Sequence, residues 1–558
     1  MNSIASKPHA TPEWWRGAVI YQIYPRSFSD ANGDGVGDIR GITERLPYIA
    51  NLGVDAIWIS PIFKSPMKDF GYDVEDYREI DPLFGTLADF EQCIASAHAL
   101  GLKVMIDQVL SHTSDQHHWF KESRSGRSNA KADWYVWADA SPDGTPPNNW
   151  QSVFGGSAWM WDARRRQYYL HNFLAAQPDL NFHCPGVQAQ LLSDVEFWLQ
   201  RGVDGFRFDT ANYLHHDPLL RNNPSHHAAE PGLQGNPYDM QDHLYDKNRP
   251  ENVRFFEKVR LLMDRYGAAS VGEVGDTEAL PLMIEYTAGN KRLNMTYSFA
   301  FLNEQKSASY IKRHASEFEA ASAQAGSDSW PCWTIGNHDA QRVLTRWEGQ
   351  HAPDDFVRLH LALLCSLRGS VCWYQGDELG LQDADIPFEH LQDPRGIAFW
   401  PEDKGRDGCR TPMPWDYDEA AAGFSGGKHV TPWLPIPAQH VRHAVSNVQS
   451  NPQAALHFMR AFLQWRKKEP SLVCGDIRFL EGNADVLAFV RSPRAGDKAA
   501  AWLCVFNLAR RELRVNLDDA PASCVHALPQ LPAQQMGARL KNTFVLPAYG
   551  IYWGTVSV

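Results

Sequence analysis

The sequence has no run of about 18 uncharged apolar residues, so no membrane-spanning helix is expected. Met1 to Trp15 carry no basic stretch followed by an apolar run; no secretory leader is visible, and a cytoplasmic location is the simplest expectation. A basic excess is also missing. Lys and Arg number 53 against 66 Asp and Glu, and the net charge of −13 would repel phosphates, which argues against a nucleic-acid partner. Nine cysteines, from Cys93 to Cys524, form no CxxC pair and no Cys/His cluster, so buried reduced thiols are expected. There is no internal repeat, no GxGxxG and no P-loop, and hence no sign of an organic cofactor.

Aromatics, by contrast, are plentiful at 12% of 558 residues. Sugar rings present flat C–H faces to such rings, and their hydroxyls need carboxylates, amides and guanidinium groups. Eight short, nearly continuous apolar runs end in polar residues: 19–24, 56–60, 103–109, 205–210, 270–274, 295–299, 332–337 and 371–375. Such runs read as parallel strands buried on both faces. Helical spacing lies between several of them, as in 87–100, 187–201, 253–266 and 356–367, with 454–468 as the last helix. This alternation predicts a (β/α)₈ barrel, an α/β fold, over residues 1–110 and 181–469. The segment 111–180 breaks it and is rich in Trp, Asn, Gly and Pro, so an inserted subdomain is expected there. From 470 to 558 short alternating runs predict a C-terminal antiparallel β domain.

In such a barrel the strands' C-terminal ends carry the site. Asp107 and His112 follow the third strand, Arg207 and Asp209 lie on the fourth, Glu273 ends the fifth, and His338 and Asp339 follow the seventh. Taken singly, an Arg-x-Asp on a strand is usually a buried ion pair, and an Asn-His-Asp is usually a turn. Together on successive strands they form the set that glycoside cleavage requires: one carboxylate to attack the sugar carbon and one protonated carboxyl to release the departing oxygen. Arg207 and Asp209 point the same way from their strand, so the guanidinium is expected to keep Asp209 ionised. Glu273 must hold a proton, which desolvation or a negative neighbour would arrange.

The segments DQVLSH (107–112), GFRFDTAN (205–212), GEVGD (272–276) and IGNHD (335–339) resemble the four signature regions of the α-amylase family, glycoside hydrolase family 13. QPDLN (177–181), which begins with Gln177, is similar to a fifth. The resemblance implies Asp209 as nucleophile, Glu273 as acid/base and Asp339 as a third carboxylate gripping ring hydroxyls. It also implies that His112, Arg207 and His338 line the same subsite. The opening WWRGAVIYQIYPRSF and the later RDGCRTPMPWD are similar to the α-glucosidase and oligo-1,6-glucosidase branch, where an aspartate and a tyrosine clamp the terminal glucose; Asp69 and Tyr72 match them. Such a clamp closes the pocket behind one glucose and implies exo action. Phe154, Phe173 and Arg406 resemble further pocket residues, and Arg410 competes with Arg406 for that role. Thr210, directly after the nucleophile, goes in this branch with preference for α-1,4 over α-1,6 linkages.

The expected partners are therefore maltose, short malto-oligosaccharides and hydroxyl acceptors, met by a monomer or homodimer. Oligo-1,6-glucosidase, trehalose synthase and sucrose-acting glucosidases of the same family are alternatives. A non-catalytic sugar-binding or transporter-associated relative would lack carboxylates that are present here. Finally, DANGDGVGD (30–38) places oxygens at alternate positions between glycines, which suits a hard cation. Asp30, Asn32, Asp34 and Asp38 would supply side chains and Val36 its carbonyl to a structural calcium or magnesium ion, although position twelve of the loop is Gly41 rather than Glu.

Overall fold

The computed structural model describes residues 13–226, 236–276, 278–427, 430–481, 484–517 and 543–556. Cys524 lies outside them.

Eight parallel strands close into a barrel: Val19–Ile23, Ala56–Ile59, Lys103–Val109, Gly205–Asp209, Ala269–Glu273, Met295–Tyr297, Pro331–Thr334 and Ser370–Tyr374. Neighbours follow chain order, and the first strand pairs with the eighth to complete the ring. These are the eight apolar runs of the sequence, with ends shifted by one to three residues. The seventh stops at Thr334, which frees residues 335–339 to form the loop that carries His338 and Asp339.

Two apolar layers hold the barrel. Inside it pack Ile20, Trp58, Met105, Val271, Tyr297, Trp330 and Cys372, all almost fully buried. Outside, helices such as Ile39–Leu52, Leu87–Ala99, Pro185–Leu199, Glu251–Asp264, Pro353–Ser366 and Ala455–Arg466 press their apolar faces on the strands. Their starts are written locally. Thr86 accepts a hydrogen bond from the Asp89 amide and Asp89 accepts one from the Thr86 amide, a capping box that fixes the entry of Leu87–Ala99. Asp38 caps Ile39–Leu52 in the same spirit, accepting from the Gly41 amide.

Between the third strand and Pro185–Leu199, a three-stranded sheet of Trp137–Ala138, Trp159–Asp162 and Gln167–Leu170 stands within the segment that breaks the alternation. At the other end of the chain, Asp476–Phe479, Val486–Ser492, Ala501–Asn507 and Ile551–Val556 form an antiparallel sheet, with Leu513–Asn516 and Thr543–Leu546 paired beside it. Arg491 ties this sheet to the barrel. Its buried guanidinium donates to the carbonyls of Ser366, Leu367, Leu472 and Gly475, groups that would otherwise lack partners at the junction.

Strand register brings the reactive residues together. Asp107 lies beside Arg207, and Val109 beside Asp209, on the third and fourth strands. Gly272 lies beside Phe208, so the next pair along is Glu273 and Asp209. A Cβ at Gly272 would meet Leu293 Cδ1 at 2.3 Å, so a larger residue there would have to displace that side chain. No helix among the described residues is long and apolar enough to cross a membrane.

Candidate active site

A cavity of about 330 Å³ opens at the C-terminal face of the barrel. That is at the small end of ligand pockets, which span ~300–1,000 Å³. Asp209, Glu273, Asp339, Asp69, Tyr72, His112, Phe154, Phe173, Gln177, Thr210 and Arg406 all line it, together with Val153, Phe299 and Arg395. Residues separated by more than 300 positions are thus neighbours in one pocket. Arg207 and His338 lie behind the wall rather than in it. Both are buried, because each serves as a hub for the lining groups.

Arg207 organises the acidic end. One guanidinium nitrogen, Nη1, reaches Asp107 Oδ1 at 2.8 Å and Asp209 Oδ1 at 2.6 Å; the other, Nη2, reaches Glu273 Oε2 at 2.6 Å. The Asp209 and Glu273 carboxyls thus sit on the two ends of one guanidinium, each at 2.6 Å. The Thr210 amide donates to the same Glu273 oxygen at 3.0 Å. Both donors therefore converge on Oε2, which leaves Oε1 to carry a proton. Thr210 adopts a φ of 43°, a left-handed conformation that a β-branched residue rarely takes, as the chain turns to aim that amide.

Electrostatics separate the two carboxyls. Burial pushes Glu273 up to about 8, helped by the charges of Asp209 and Asp339 and opposed by Arg207. Asp209 is raised as well, to about 6, because burial and the nearby Asp107 outweigh Arg207. Arg207 favours the ionised Asp209, as expected from their shared strand, but does not cancel its burial. One cation among three desolvated carboxylates offsets only part of the burial cost. The order survives: in the interval between the two values Asp209 is ionised and Glu273 is protonated.

The opposite end is closed. Arg406 Nη2 contacts Asp69 Oδ1 at 3.0 Å and Asp393 Oδ1 at 2.7 Å, and Nη1 contacts Asp339 Oδ1 at 3.2 Å. Arg410 lies behind, donating to Asp339 at 2.8 Å and to the His338 carbonyl at 2.7 Å. The competition between the two arginines is resolved by position, since Arg406 is in the wall and Arg410 supports it. Burial disfavours the charge on Asp339, yet His338, Arg406, Arg410 and Arg207 hold it well below the usual carboxylate range. The Tyr72 hydroxyl bridges His338 Nε2 at 2.6 Å and Asp107 Oδ2 at 3.2 Å, and its ring stacks on His338. His338 Nδ1 is 2.7 Å from Gln22 Nε2 and His112 Nδ1 is 2.9 Å from Ser111 Oγ; burial drives the two histidines down to about 3 and about 4, so both are neutral near pH 7. Gln177 Nε2 joins Asp69 Oδ2 at 3.1 Å and His112 Nε2 at 3.2 Å. Phe154 and Phe173 meet edge to face and supply an apolar flank.

Val153, Phe299, Arg395 and the supporting Asp393 escape the sequence reading. Phe299 ends an apolar run whose spacing predicts a strand, Val153 sits in a turn, and Asp393 and Arg395 lie at the start of a six-residue helix too short to show a spacing signal. The Asp30–Asp38 loop lies apart from the cavity. Asp30 accepts from the amides of Gly33 and Gly35, Asp34 from that of Val36, and Asp38 from those of Ala31, Asn32 and Gly41. Among the described residues no three acidic, histidine or cysteine side chains form a metal-holding group. The acidic oxygens here accept from the loop's own amides, which closes the turn.

A parallel barrel with an acidic pair on its fourth and fifth strands and a closed pocket defines a sugar-cleaving type of site. The chain belongs to the α-amylase family: the family's catalytic-domain model, "Alpha amylase, catalytic domain", matches residues 22–475. It is 54% identical to a protein from Rhizobium meliloti (strain 1021) named "Probable alpha-glucosidase", over 98% of this chain and 97% of that one. It is 35% identical to an oligo-1,6-glucosidase of Heyndrickxia coagulans, over 81% of this chain and 85% of the relative. The crystal structure of an α-glucosyl transfer enzyme, XgtA, superposes with a TM-score of 0.91 at 52% identity, covering 98% of this chain and 99% of that one.

Proposed function

We propose that this chain is a retaining, exo-acting α-glucosidase. It removes the terminal glucose of short α-1,4-glucosides such as maltose and passes it to water or to another hydroxyl. The observation that carries the reading is the pair Asp209 and Glu273, held on one guanidinium at one end of a pocket whose other end is crossed by the ion pairs of Arg406 with Asp69 and Asp339.

Two carboxyls held at 2.6 Å on the two terminal nitrogens of one guanidinium favour the close spacing of a retaining pair, roughly 5–5.5 Å, over the roughly 6.5–9.5 Å that an inverting enzyme needs for its water. Direct attack is then the available route. Asp209 bonds to the anomeric carbon as the bond to the leaving oxygen breaks, and Glu273 gives that oxygen its proton. In the second half Glu273 takes a proton from the incoming hydroxyl, whose oxygen bonds to the same carbon and frees Asp209. Asp339, kept ionised, stabilises positive charge on the ring and grips its hydroxyls. When the acceptor is a sugar or alcohol rather than water, the outcome is glucosyl transfer, the activity named for the similar XgtA.

The pocket suits an uncharged sugar. Three carboxylates and the protonated Glu273 line it, and its two arginines are already paired, Arg406 with Asp69, Asp339 and Asp393 and Arg395 with Asp403, so a phosphorylated end would be disfavoured. Thr210, held by a 2.8 Å contact to Ser111 Oγ beside the nucleophile, supports the α-1,4 preference. The test is a time course from maltose that follows free glucose and longer glucosides together, with isomaltose, trehalose and sucrose in parallel. Glucose release from maltose with retained α configuration is expected; inactivity on maltose would sink the reading.

A further inference from the structure

We infer that Asp393 is the positioning residue for the glucose-gripping end of the pocket, acting through Arg406. The inference rests on the proposed role of that end. Asp393 follows the eighth barrel strand, does not line the cavity and is fully buried. Every contact of its carboxylate serves the two arginines that do line it. Oδ1 accepts from Arg406 Nη2 at 2.7 Å and, as the cap of the short helix Pro394–Phe399, from the Arg395 amide at 3.3 Å. Oδ2 accepts from the Arg406 amide at 2.7 Å and from Arg406 Nε at 3.1 Å.

Backbone and side chain of Arg406 are therefore gripped by one carboxylate, which fixes the direction in which the guanidinium points. What remains free of Asp393 is the edge that meets Asp69 and Asp339. The surroundings are built for this. Gly405 has a φ of 70°, and a Cβ there would come within 2.5 Å of Asp393 Oδ2, so the chain folds onto the carboxylate only because this residue is glycine. Asp407 in turn accepts from the amides of Gln392 and Asp393, at 2.6 and 2.9 Å, and locks the loop on the other side. Burial works against the Asp393 charge, but Arg406 and Arg410 bring it down to about 2, so the grip persists across the working pH range.

Without Asp393 the guanidinium would be free to leave the pocket floor. Ground-state hold on the terminal glucose would weaken, while the acidic pair on Arg207 stays intact. The test uses the full chain with Asp393→Asn, Arg406→Ala and the double variant, measuring kcat and KM on maltose and inhibition by free glucose. Asp393→Asn is expected to raise KM and the glucose inhibition constant together, about tenfold or more, with kcat within about threefold. Added to Arg406→Ala it should change neither constant further, because its effect runs through that arginine. Asp393→Ser, which keeps an oxygen for the backbone amides, should show the same signature and serves if the asparagine variant does not fold. Unchanged KM and glucose inhibition in either variant, or losses that add in the double variant, would overturn the inference. A wild type that releases no glucose from maltose would instead overturn the activity on which it rests.

Discussion

Two arginines, one buried and one partly so, sit at opposite ends of the pocket, and each faces three acidic side chains. Arg207 holds Asp107, Asp209 and Glu273; Arg406 holds Asp69, Asp339 and Asp393. The ion pairs look alike on paper, yet the acids behave oppositely. Around Arg207 burial prevails, and Asp107, Asp209 and Glu273 rise to about 6, about 6 and about 8. Around Arg406 the cations prevail, and Asp339 and Asp393 fall below the ordinary range. The difference is local supply of positive charge. Arg410 stands beside Arg406, whereas among the described residues the acids around Arg207 pair with no second cation. One end is left able to exchange protons near neutrality, and the other is pinned. Counting salt bridges would have missed this; their surroundings decide what they do.

The largest effect expected is at the exchanging end. Asp209→Asn should lower kcat by ~10⁴-fold or more with the fold intact, measured as glucose release alongside circular dichroism. Turnover near the wild-type level would remove the distinction between the two ends. At the pinned end, Arg406→Ala leaves Asp69 and Asp393 buried without their partner and should cost about 3 kcal/mol, or ~100-fold, in kcat/KM. A loss as deep as that of Asp209→Asn would show that both ends do chemistry.

The pH profile sharpens the contrast next. Activity requires Asp209 ionised, which fails as pH falls through about 6, and Glu273 protonated, which fails as pH rises through about 8. A bell in kcat/KM between those limbs is expected, and Glu273→Gln should abolish its alkaline limb in whatever activity remains. A single acidic limb in the wild type would contradict the assignment of the proton to Glu273. Smaller still, Thr210→Val removes the contact to Ser111 beside the nucleophile and should lower the maltose-to-isomaltose rate ratio by several-fold. An unchanged ratio would detach linkage preference from this residue. The smallest effect concerns the acidic loop. Since its oxygens already close on their own amides, EDTA should move the thermal midpoint by less than about 2 °C; a larger drop would show that Asp30–Asp38 does hold a cation.

The barrel was legible because strands buried on both faces are apolar almost without interruption, and all eight such runs pair in one ring. Asp209, Glu273 and Asp339 were legible because barrel geometry carries strand ends to one face. Asp393 and Arg395 were not, for they lie at the start of a six-residue helix, too short for a period to restrict which side chains turn inward. Nor could spacing decide between Arg406 and Arg410, four residues apart with the same chemistry. The rise of Asp209 was hidden for a different reason. It depends on Asp107, about 100 positions away, and on how much water the finished pocket excludes.

The sealing residues come from connections, not from staves. Asp69 and Tyr72 follow the second strand, and Asp393, Arg406 and Arg410 follow the eighth. On the proposed function, bond breaking and choice of terminal unit are therefore written in separate stretches of chain. Residues 383–410 could be rewritten to admit a differently substituted ring while the acid pair, anchored in the sheet, keeps its register.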